Sequence, residues 1–266
     1  MRTMSGVLAG LVLAVLSGFG TRDCPAQTKD VGWPSYGNDA GGGRYSEARQ
    51  IDASNVEQLK VAWTFRTGAL DEKRDLNEKA TFETTPILVD GKLYLSTPWG
   101  QVFALDPVTG TKIWEFDPDL DLTNNYSEAS SRGVSAWHDP KAKRGSPCAL
   151  RIFIGTIDAR LIAIDGQSGK PCTDFGTEGQ VDLTRDVELR NVGDYQVTSA
   201  PAIAGDVVIT GSSIGDNRAV RLERGIVRGF DARTGKQRSQ VKWCPPANDG
   251  FGCADLVRRI SGPRYG

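Results

Sequence analysis

One short pattern recurs three times in the chain and constrains its fold more than any other feature. It reads ALDPVTGTKIWEF at 104–116, AIDGQSGKPCTDF at 163–175 and GFDARTGKQRSQV at 229–241. In each copy a Gly follows an Asp by four positions. This combination closes a tight turn, because the Asp carboxylate accepts turn N–H groups and Gly takes a positive φ. An apolar segment precedes every copy, so the pattern predicts a repeated hairpin unit.

Short apolar segments separated by Gly and Asp surround these turns. We predict strands in three groups: 85–88, 92–96, 102–105 and 113–116; 152–155, 161–164 and 181–183; 200–204, 207–211 and 226–230. Groups that return at intervals of roughly sixty residues are typical of a β-propeller, whose blades are four-stranded sheets. The predicted fold class is therefore all-β, a partial β-propeller of about three blades. The alternative is a β-sandwich in which the turn pattern recurs by chance.

Two tryptophans are predicted to act in blade packing. Trp114 ends the first copy of the pattern, on the expected outer strand, where its ring would lie flat against the next blade and bury a large area. Trp63, in LKVAWTF at 59–65, shares the W-x-F ending of KIWEF but lacks the turn. We expect this segment to supply an outer strand to a ring closed by the two ends of a longer chain.

The first residues have the pattern of an export signal. Arg2 precedes the apolar run GVLAGLVLAVLSGFG, which is shorter than the roughly 20 residues that span a bilayer. Small residues near Ala26 favour cleavage there, so residues 1–26 are predicted to be a signal peptide. The alternative is an uncleaved membrane anchor. The mature protein is expected in the periplasm or outside the cell, and membrane association stays open.

Export gives two cysteines a possible structural role. Cys148 and Cys172 flank two apolar strands joined by a short turn at 157–159, so antiparallel pairing brings them near each other. In an oxidising compartment this predicts a disulfide, with two unrelated thiols as the alternative. Because His138 is the only histidine, the sequence excludes a mixed Cys/His metal cluster. The net charge of −1 argues against nucleic acid as a partner.

Several segments together resemble the quinoprotein dehydrogenases, which oxidise alcohols or aldose sugars with pyrroloquinoline quinone (PQQ). The resemblance covers residues 31 to 237 and is carried by WPSYGNDAGGGRYSEARQIDASNVEQLKVAW, FETTPILVDGKLYLSTPWGQVFALDPVTGTKIWEFDP, SRGVSAWHD, RIFIGTIDARLIAIDGQSGKPCTDFG and VTSAPAIAGDVVITGSSIGDN. The sequence of these segments is most similar to the glucose dehydrogenase-like branch. The alcohol branch carries adjacent cysteines where this chain reads SEASSRG. Trp99 stands where the glucose branch often has His.

The resemblance assigns roles to six residues. Glu83 in FETTP resembles the acidic residue that hydrogen-bonds the quinone, and Arg132 in SRGVS resembles the arginine that contacts the cofactor. Thr198 and Ser213 resemble hydroxyl donors around the PQQ carboxylates. Asp216, with Asn217 beside it, falls where the family places a carboxylate ligand for Ca²⁺ or Mg²⁺, a hard cation that prefers oxygen. Read alone, Asp216 fits an ordinary turn equally well, and Glu83 and Arg132 fit solvated surface charges.

The resemblance also implies a reaction and its partners. The expected function is PQQ-dependent oxidation of a glucose-like aldose or an alcohol, with hydride transfer to the metal-bound quinone and electrons passed to a quinone or cytochrome acceptor. The runner-up is a non-catalytic propeller that scaffolds or binds proteins of the cell envelope. The four residues Glu83, Arg132, Ser213 and Asp216 distinguish the two, since a scaffold needs no such set.

The end of the chain departs from the repeat. After RGFDARTGK (228–236) the residues QRSQVKWCPPANDGFGCADLVRRISGPRYG show no apolar alternation and match no blade strand. We therefore divide the chain into a signal peptide (1–26), an incomplete propeller (27–237) and a divergent tail (238–266), whose origin is a frameshift, a truncation or true divergence. The family's ring has eight blades, and its catalytic Asp base would lie in the missing part. The chain alone is expected to be inactive.

Overall fold

The computed structural model describes residues 31–39, 41–71, 78–187, 189–215 and 225–242. These residues form strands with a single 3-10 turn at Val56–Gln58. No helix within them is long and apolar enough to cross a bilayer. The strands, in chain order, are β1 Ala80–Thr81, β2 Ile87–Val89, β3 Lys92–Ser96, β4 Val102–Leu105, β5 Lys112–Phe116, β6 Ala129–Ser130, β7 Ser135–His138, β8 Leu150–Gly155, β9 Arg160–Asp165, β10 Gln180–Asp182, β11 Tyr195–Gln196, β12 Ala202–Ala204, β13 Val207–Thr210, β14 Ser213–Ile214, β15 Ile226–Asp231 and β16 Gln237–Lys242.

Twelve of these strands form three antiparallel sheets of four, which are the predicted blades. Their strand orders are β2-β3-β4-β5, β7-β8-β9-β10 and β12-β13-β15-β16. The first strands β7 and β12 lie against each other. Two short pairs join segments between blades: β1 runs parallel to β6, and β11 runs antiparallel to β14. The prediction of an all-β fold, a partial propeller of about three blades, is confirmed.

The turns of the repeated pattern have the predicted structure. The Asp106 carboxylate accepts the N–H groups of Val108 and Thr109 at 2.9 and 2.8 Å. The Thr109 N–H lowers the pKa of that carboxyl, because it stabilises the ionised form. Asp231 accepts the N–H of Thr234 at 2.8 Å in the same way. All three turn glycines have φ values between 70° and 74°, the left-handed region that Gly enters without strain.

Trp114 packs against the second blade, as predicted. Its ring lies over Gly169, where a methyl group would come within 2.8 Å of the indole. The indole N–H donates to the Gly166 carbonyl at 3.2 Å, and the Tyr94 hydroxyl donates to the same carbonyl at 2.9 Å. Trp114 is only 8% exposed. The turn glycine of the second blade is therefore also the point at which the first blade, through Trp114, packs against it.

Trp63 makes the same kind of contact with the first blade. A methyl group at Gly110 would lie 2.5 Å from its indole, and its N–H donates to the Pro107 carbonyl at 3.1 Å. Phe65 packs edge-on against Phe103 with ring centroids 5.2 Å apart. Residues 59–65 form no strand in the structure, and the ring closure to which the predicted outer strand would belong is not addressed. The docking contact is present without that strand, because it depends on the indole and the turn rather than on strand pairing.

The blades are joined by two apolar layers on either side of the second blade. Ile152 and Ile154 of β8 face the first blade, whereas Phe153 packs on the opposite side in a cluster with Phe175 and Phe230. Every residue of β8 is consequently buried, as expected for a strand covered on both faces. The predicted disulfide between Cys148 and Cys172 is present, with Cα atoms 5.9 Å apart.

Two blade strands were missed from the sequence. Ser135–His138 forms β7, the first strand of the second blade, although it has no apolar run. The interpretation that residues after 236 match no blade strand was wrong for Gln237–Lys242, which pairs with β15 as the fourth strand of the third blade. Residues 237–240 are exposed, so this strand is held by its backbone ladder and needs no apolar alternation. Residues 1–30 and 243–266 lie outside the described residues, so the signal-peptide prediction and the rest of the tail are not addressed.

The Trp114 contact predicts a large loss of stability on truncation. Replacing Trp114 by Ala should lower the free energy of unfolding by about 3–5 kcal/mol, because a buried ring and its interface contacts are lost. Urea denaturation followed by circular dichroism measures this change. Val108→Ala is the matched control, since Val108 is 81% exposed and should cost little. A loss below about 1 kcal/mol for Trp114→Ala would contradict the assigned docking role.

A charged pair between the second and third blades predicts a pH dependence. Arg233 donates to both oxygens of Asp139, at 2.7 and 2.6 Å, and this pairing lowers the pKa of Asp139 to about 2. The pair stabilises the fold above the unfolded pKa of about 4, and the contribution is lost as the pH falls towards 2. Asp139→Asn should therefore cost roughly 1–2 kcal/mol at pH 7 and progressively less below pH 4.

Chemical denaturation of both proteins between pH 7 and pH 2.5 tests this dependence. Glu47→Gln, a change at an exposed carboxylate, serves as the control and should show no such trend. A difference between Asp139→Asn and the unaltered chain that stays constant down to pH 2.5 would show that the pair does not carry the effect.

Candidate cofactor-binding site

The predicted site residues occupy equivalent places in successive blades. Glu83, Arg132 and Thr198 each lie three or four residues before the first strand of a blade, namely β2, β7 and β12. Backbone hydrogen bonds join these entry segments: the Thr85 N–H donates to the Arg132 carbonyl at 3.1 Å, and the Arg132 N–H donates to the Thr198 carbonyl at 2.8 Å. The blade repeat thus turns residues far apart in sequence into neighbours.

Arg132 is the centre of the group. Its Nε lies 2.9 Å from a Glu83 carboxylate oxygen, and its Nη1 donates to the Thr198 hydroxyl at 2.8 Å. Glu128 is a second carboxylate, 3.7 Å from Nη2. The Arg132 side chain is 37% exposed, so the group is held in place yet open to solvent. Three of the predicted cofactor-binding residues are therefore in direct contact.

Ser213 lies close by on a different strand. It belongs to β14 and pairs with Gln196 of β11, two residues before Thr198. The Gln196 side chain donates to the Glu128 carbonyl at 2.6 Å, which connects this pair to the segment that carries Arg132. The structure thus connects Ser213 to the segment of Thr198 through the β11–β14 pair, and no hydrogen bond among the described residues joins Ser213 to Arg132. Asp216 and Asn217 lie outside the described residues, so the predicted metal ligands are not addressed.

A layer of buried hydroxyl groups lies behind the charged residues, and the sequence reasoning missed it. The Ser96 hydroxyl is 2.8 Å from that of Ser131 and 3.1 Å from that of Thr84. Ser130 is fully buried, and its hydroxyl has no hydrogen-bond partner among the described residues. The run SEASS just before Arg132 was the available signal. Consecutive Ser residues just before the first strand of a blade indicate a polar rather than apolar backing.

Glycine at position 133 is required by the close approach of two entry segments. Its φ is +134°, and a Cβ at this position would lie 2.9 Å from the Thr85 carbonyl oxygen. A larger residue would push the first and second entry segments apart and move Arg132 away from Glu83. The SRG sequence therefore has a steric reason within this fold.

Arg132 also lines a cavity on the side of the first strands. The cavity has a volume of about 430 Å³. It is bounded by the N-terminal segment, which includes Tyr36 and Asp39, and by the starts of β7 and β12. The N-terminal segment is fixed to the first blade, because Trp33 exchanges two backbone hydrogen bonds with Leu88 at 3.0 and 2.8 Å. The cavity is large enough for an aromatic carboxylate ligand.

Trp99, the position at which the chain departs from the glucose branch, is a packing residue. It is 2% exposed, and its indole N–H donates to the Ala69 carbonyl at 2.8 Å. It lies in an apolar cluster with Tyr126, Ala129 and Ile157. A buried indole of this kind fixes the loop around it.

The donor set fits a carboxylate-rich cofactor. A guanidinium has five N–H donors, and the contacts with Glu83 and Thr198 leave N–H groups on Nη1 and Nη2 for a ligand. Hydroxyl groups at Thr198 and Ser213 add neutral donors. Within the part of the chain that the structure describes, no three His, Cys, Asp or Glu side chains form a cluster that could hold a metal ion.

Comparison with known proteins identifies a family to which most of the chain is similar. Residues 33–250 match the family model described as PQQ: glucose/ethanol/alcohol dehydrogenase, beta-propeller domain. The chain is 39% identical over 212 residues to the quinoprotein glucose dehydrogenase of Escherichia coli K12, covering 78% of this chain and 26% of that protein. It is 36% identical over 215 residues to quinoprotein glucose dehydrogenase A of Acinetobacter calcoaceticus, covering 77% and 27%.

The solved structures place the fold in the same group. The quinohemoprotein alcohol dehydrogenase of Comamonas testosteroni superposes with a TM-score of 0.62 at 28% identity, covering 82% of this chain and 28% of that one. The chain thus spans about a quarter of the length of the relatives it matches. Residues 33–250 account for most of the chain, and on this basis it belongs to the PQQ-dependent glucose/ethanol/alcohol dehydrogenase β-propeller family.

Proposed function

We propose that this chain supplies one side of the PQQ-binding site of a dehydrogenase that oxidises a glucose-like aldose or an alcohol. The observation that carries the proposal is the linked group of Glu83, Arg132 and Thr198 at the entries to three successive blades. Arg132, the centre of that group, lines a cavity of about 430 Å³. A propeller that serves only as a scaffold has no requirement for a charged, hydrogen-bonded group of this kind at that place.

Each residue of the group has a distinct task. Arg132 would donate to an anionic oxygen of PQQ, and such charge-assisted bonds are among the strongest in proteins. Glu83 orients the guanidinium and limits its rotation, and the Thr198 hydroxyl lies next to it. Ser213 on β14 would add a second hydroxyl donor. PQQ, when bound, supplies an ortho-quinone that accepts the two electrons of the oxidised alcohol. Electrons would then pass to a quinone or cytochrome acceptor.

A divalent metal is part of the same proposal. Asp216 and Asn217 carry side-chain oxygens of the type that Ca²⁺ and Mg²⁺ prefer. The carboxylates of Glu83 and Glu128 lie around a single cation, Arg132, so the described group has no excess positive charge of its own. A bound cation would offset the negative charge of PQQ that Arg132 alone leaves uncompensated.

The place of action is proposed to be the periplasm or the cell exterior. The disulfide between Cys148 and Cys172 supports this assignment, since such bonds persist in oxidising compartments. The apolar N-terminal run supports it independently.

Retention of PQQ tests the role of Arg132. The 266-residue chain, incubated with PQQ and Ca²⁺ and freed of excess ligand, should retain quinone absorbance. Arg132→Met should weaken binding by roughly 10-fold or more, because a hydrogen bond to a charged group is lost. Arg144→Met is the matched control, since Arg144 is 86% exposed and pairs with Asp90 at 3.2 Å, outside the candidate site. Equal PQQ affinity in both variants would refute the assignment. So would no retention by the unaltered chain, if the complete E. coli relative binds under the same conditions.

The chain spans about a quarter of its relatives' length, and this predicts the outcome of an activity assay. Glucose, other aldoses and short alcohols should give no PQQ-dependent reduction of a dye by the 266-residue chain, with Ca²⁺ or Mg²⁺ supplied. The reason is that about three quarters of the relatives' length has no counterpart in this chain. The complete E. coli relative is the positive control. Robust turnover by the chain alone would show that these residues suffice for catalysis.

A further inference from the structure

The contact that joins neighbouring blades changes between the second and third blades. Gly110 and Gly169 are each covered by an indole, from Trp63 and Trp114 respectively. At the third turn, a methyl group on Gly235 would lie 2.7 Å from the backbone of Gly176 and 2.9 Å from the side chain of Val181. Among the described residues, the nearest neighbours of this turn glycine thus include no indole. At the interface between the second and third blades, the valine Val181 therefore takes the position that an indole holds at the other two turns.

A cavity of about 330 Å³ lies next to this contact. Its mouth is formed by exposed residues that include Thr177, Arg185 and Lys236, and its floor by Arg228 and Phe230 of β15. It runs along β10, the outer strand of the second blade, whereas Arg132 lies beside the first strands. The cavity is thus separate from the candidate PQQ site.

Arg228 carries a buried positive charge into this cavity. The residue is 2% exposed, and among the described residues no carboxylate lies within ion-pair distance of it. The guanidinium donates to the carbonyls of Leu183, at 2.7 Å, and Arg185. Its Nε has no hydrogen-bond partner in the described structure. Burying a charge without a counter-ion is costly, so this arrangement calls for an anion.

The other charged residues of the cavity do not supply a counter-ion for Arg228. Arg160 is neutralised by Asp158 at 2.6 Å and also donates to Gln180. The Asp182 carboxylate accepts hydrogen bonds from the N–H and the hydroxyl of Thr184, at 2.8 and 2.7 Å. Arg185 and Lys236 add two further positive charges at the mouth. Four cationic side chains therefore surround a space whose lining includes one carboxylate, which already has donors.

We propose that this cavity between the second and third blades is a binding site for a small oxyanion, such as phosphate or a carboxylate. The buried Arg228 would hold the anion from the floor, and Arg185 and Lys236 would close on it from the mouth. A forked guanidinium suits the planar or tetrahedral array of oxygens in such ions. Bound there, the anion would tie β10 to β15 at the interface where Val181 takes the place of an indole.

Titration of the 266-residue chain with inorganic phosphate tests the proposal. Calorimetry and thermal unfolding are followed at constant ionic strength, with chloride as the reference anion. The unaltered chain should show saturable binding and a rise in midpoint temperature specific to phosphate. The double variant Arg185→Gln/Lys236→Gln should bind more weakly by roughly 10-fold or more, since two charge-assisted contacts are removed. Acetate and succinate in parallel titrations distinguish a phosphate site from a carboxylate site.

Two further variants keep the test independent of folding defects. Val181→Trp places an indole beside Gly235, so it should remove the phosphate effect while leaving the circular dichroism spectrum unchanged. Lys141→Gln, which removes a lysine outside the cavity, should bind phosphate like the unaltered chain. The proposal is overturned if phosphate stabilises no more than chloride, or if Lys141→Gln and the double variant lose affinity equally.

Discussion

The packing of one blade on the turn of the next is the contact on which the rest of the structure depends. A four-stranded sheet has two faces, and a propeller blade is stable only when both are covered. Trp114 covers Gly169 and donates to Gly166, so one side chain supplies both apolar area and a directional bond. The turn glycine is needed twice, for its positive φ and for the absence of a Cβ under the indole.

This packing also creates the candidate site. Because the blades are equivalent, the segments that enter their first strands come together at one end, where Glu83, Arg132 and Thr198 meet. None of the three is positioned by its own neighbours in sequence alone. Their mutual bonds exist only if adjacent blades are docked at the correct angle. Loss of blade packing would therefore separate the residues of the candidate site.

Much of this arrangement could be predicted from the sequence because it rests on local rules. Asp and Gly determine the turns, and strands and turns follow one another at regular intervals along the chain. The strand Gln237–Lys242, whose residues 237–240 are exposed, escaped prediction because an outer strand is held by backbone pairing and leaves no apolar pattern. The buried hydroxyl layer of Ser96 and Ser131 escaped for a related reason: only tertiary packing reveals that those groups point inward. Family resemblance located Arg132 and Thr198, yet the bond between them, across 66 residues, is a property of the fold.

A crystal structure of the chain grown with PQQ and Ca²⁺ would test the central claim most directly. The account predicts electron density for PQQ in the cavity beside Arg132, with a cofactor oxygen within hydrogen-bond distance of the guanidinium and of the Thr198 hydroxyl. It also predicts the indole of Trp114 over Gly169 in the same crystal. PQQ bound elsewhere on the chain, or blades that pack without the Trp114 contact, would contradict it.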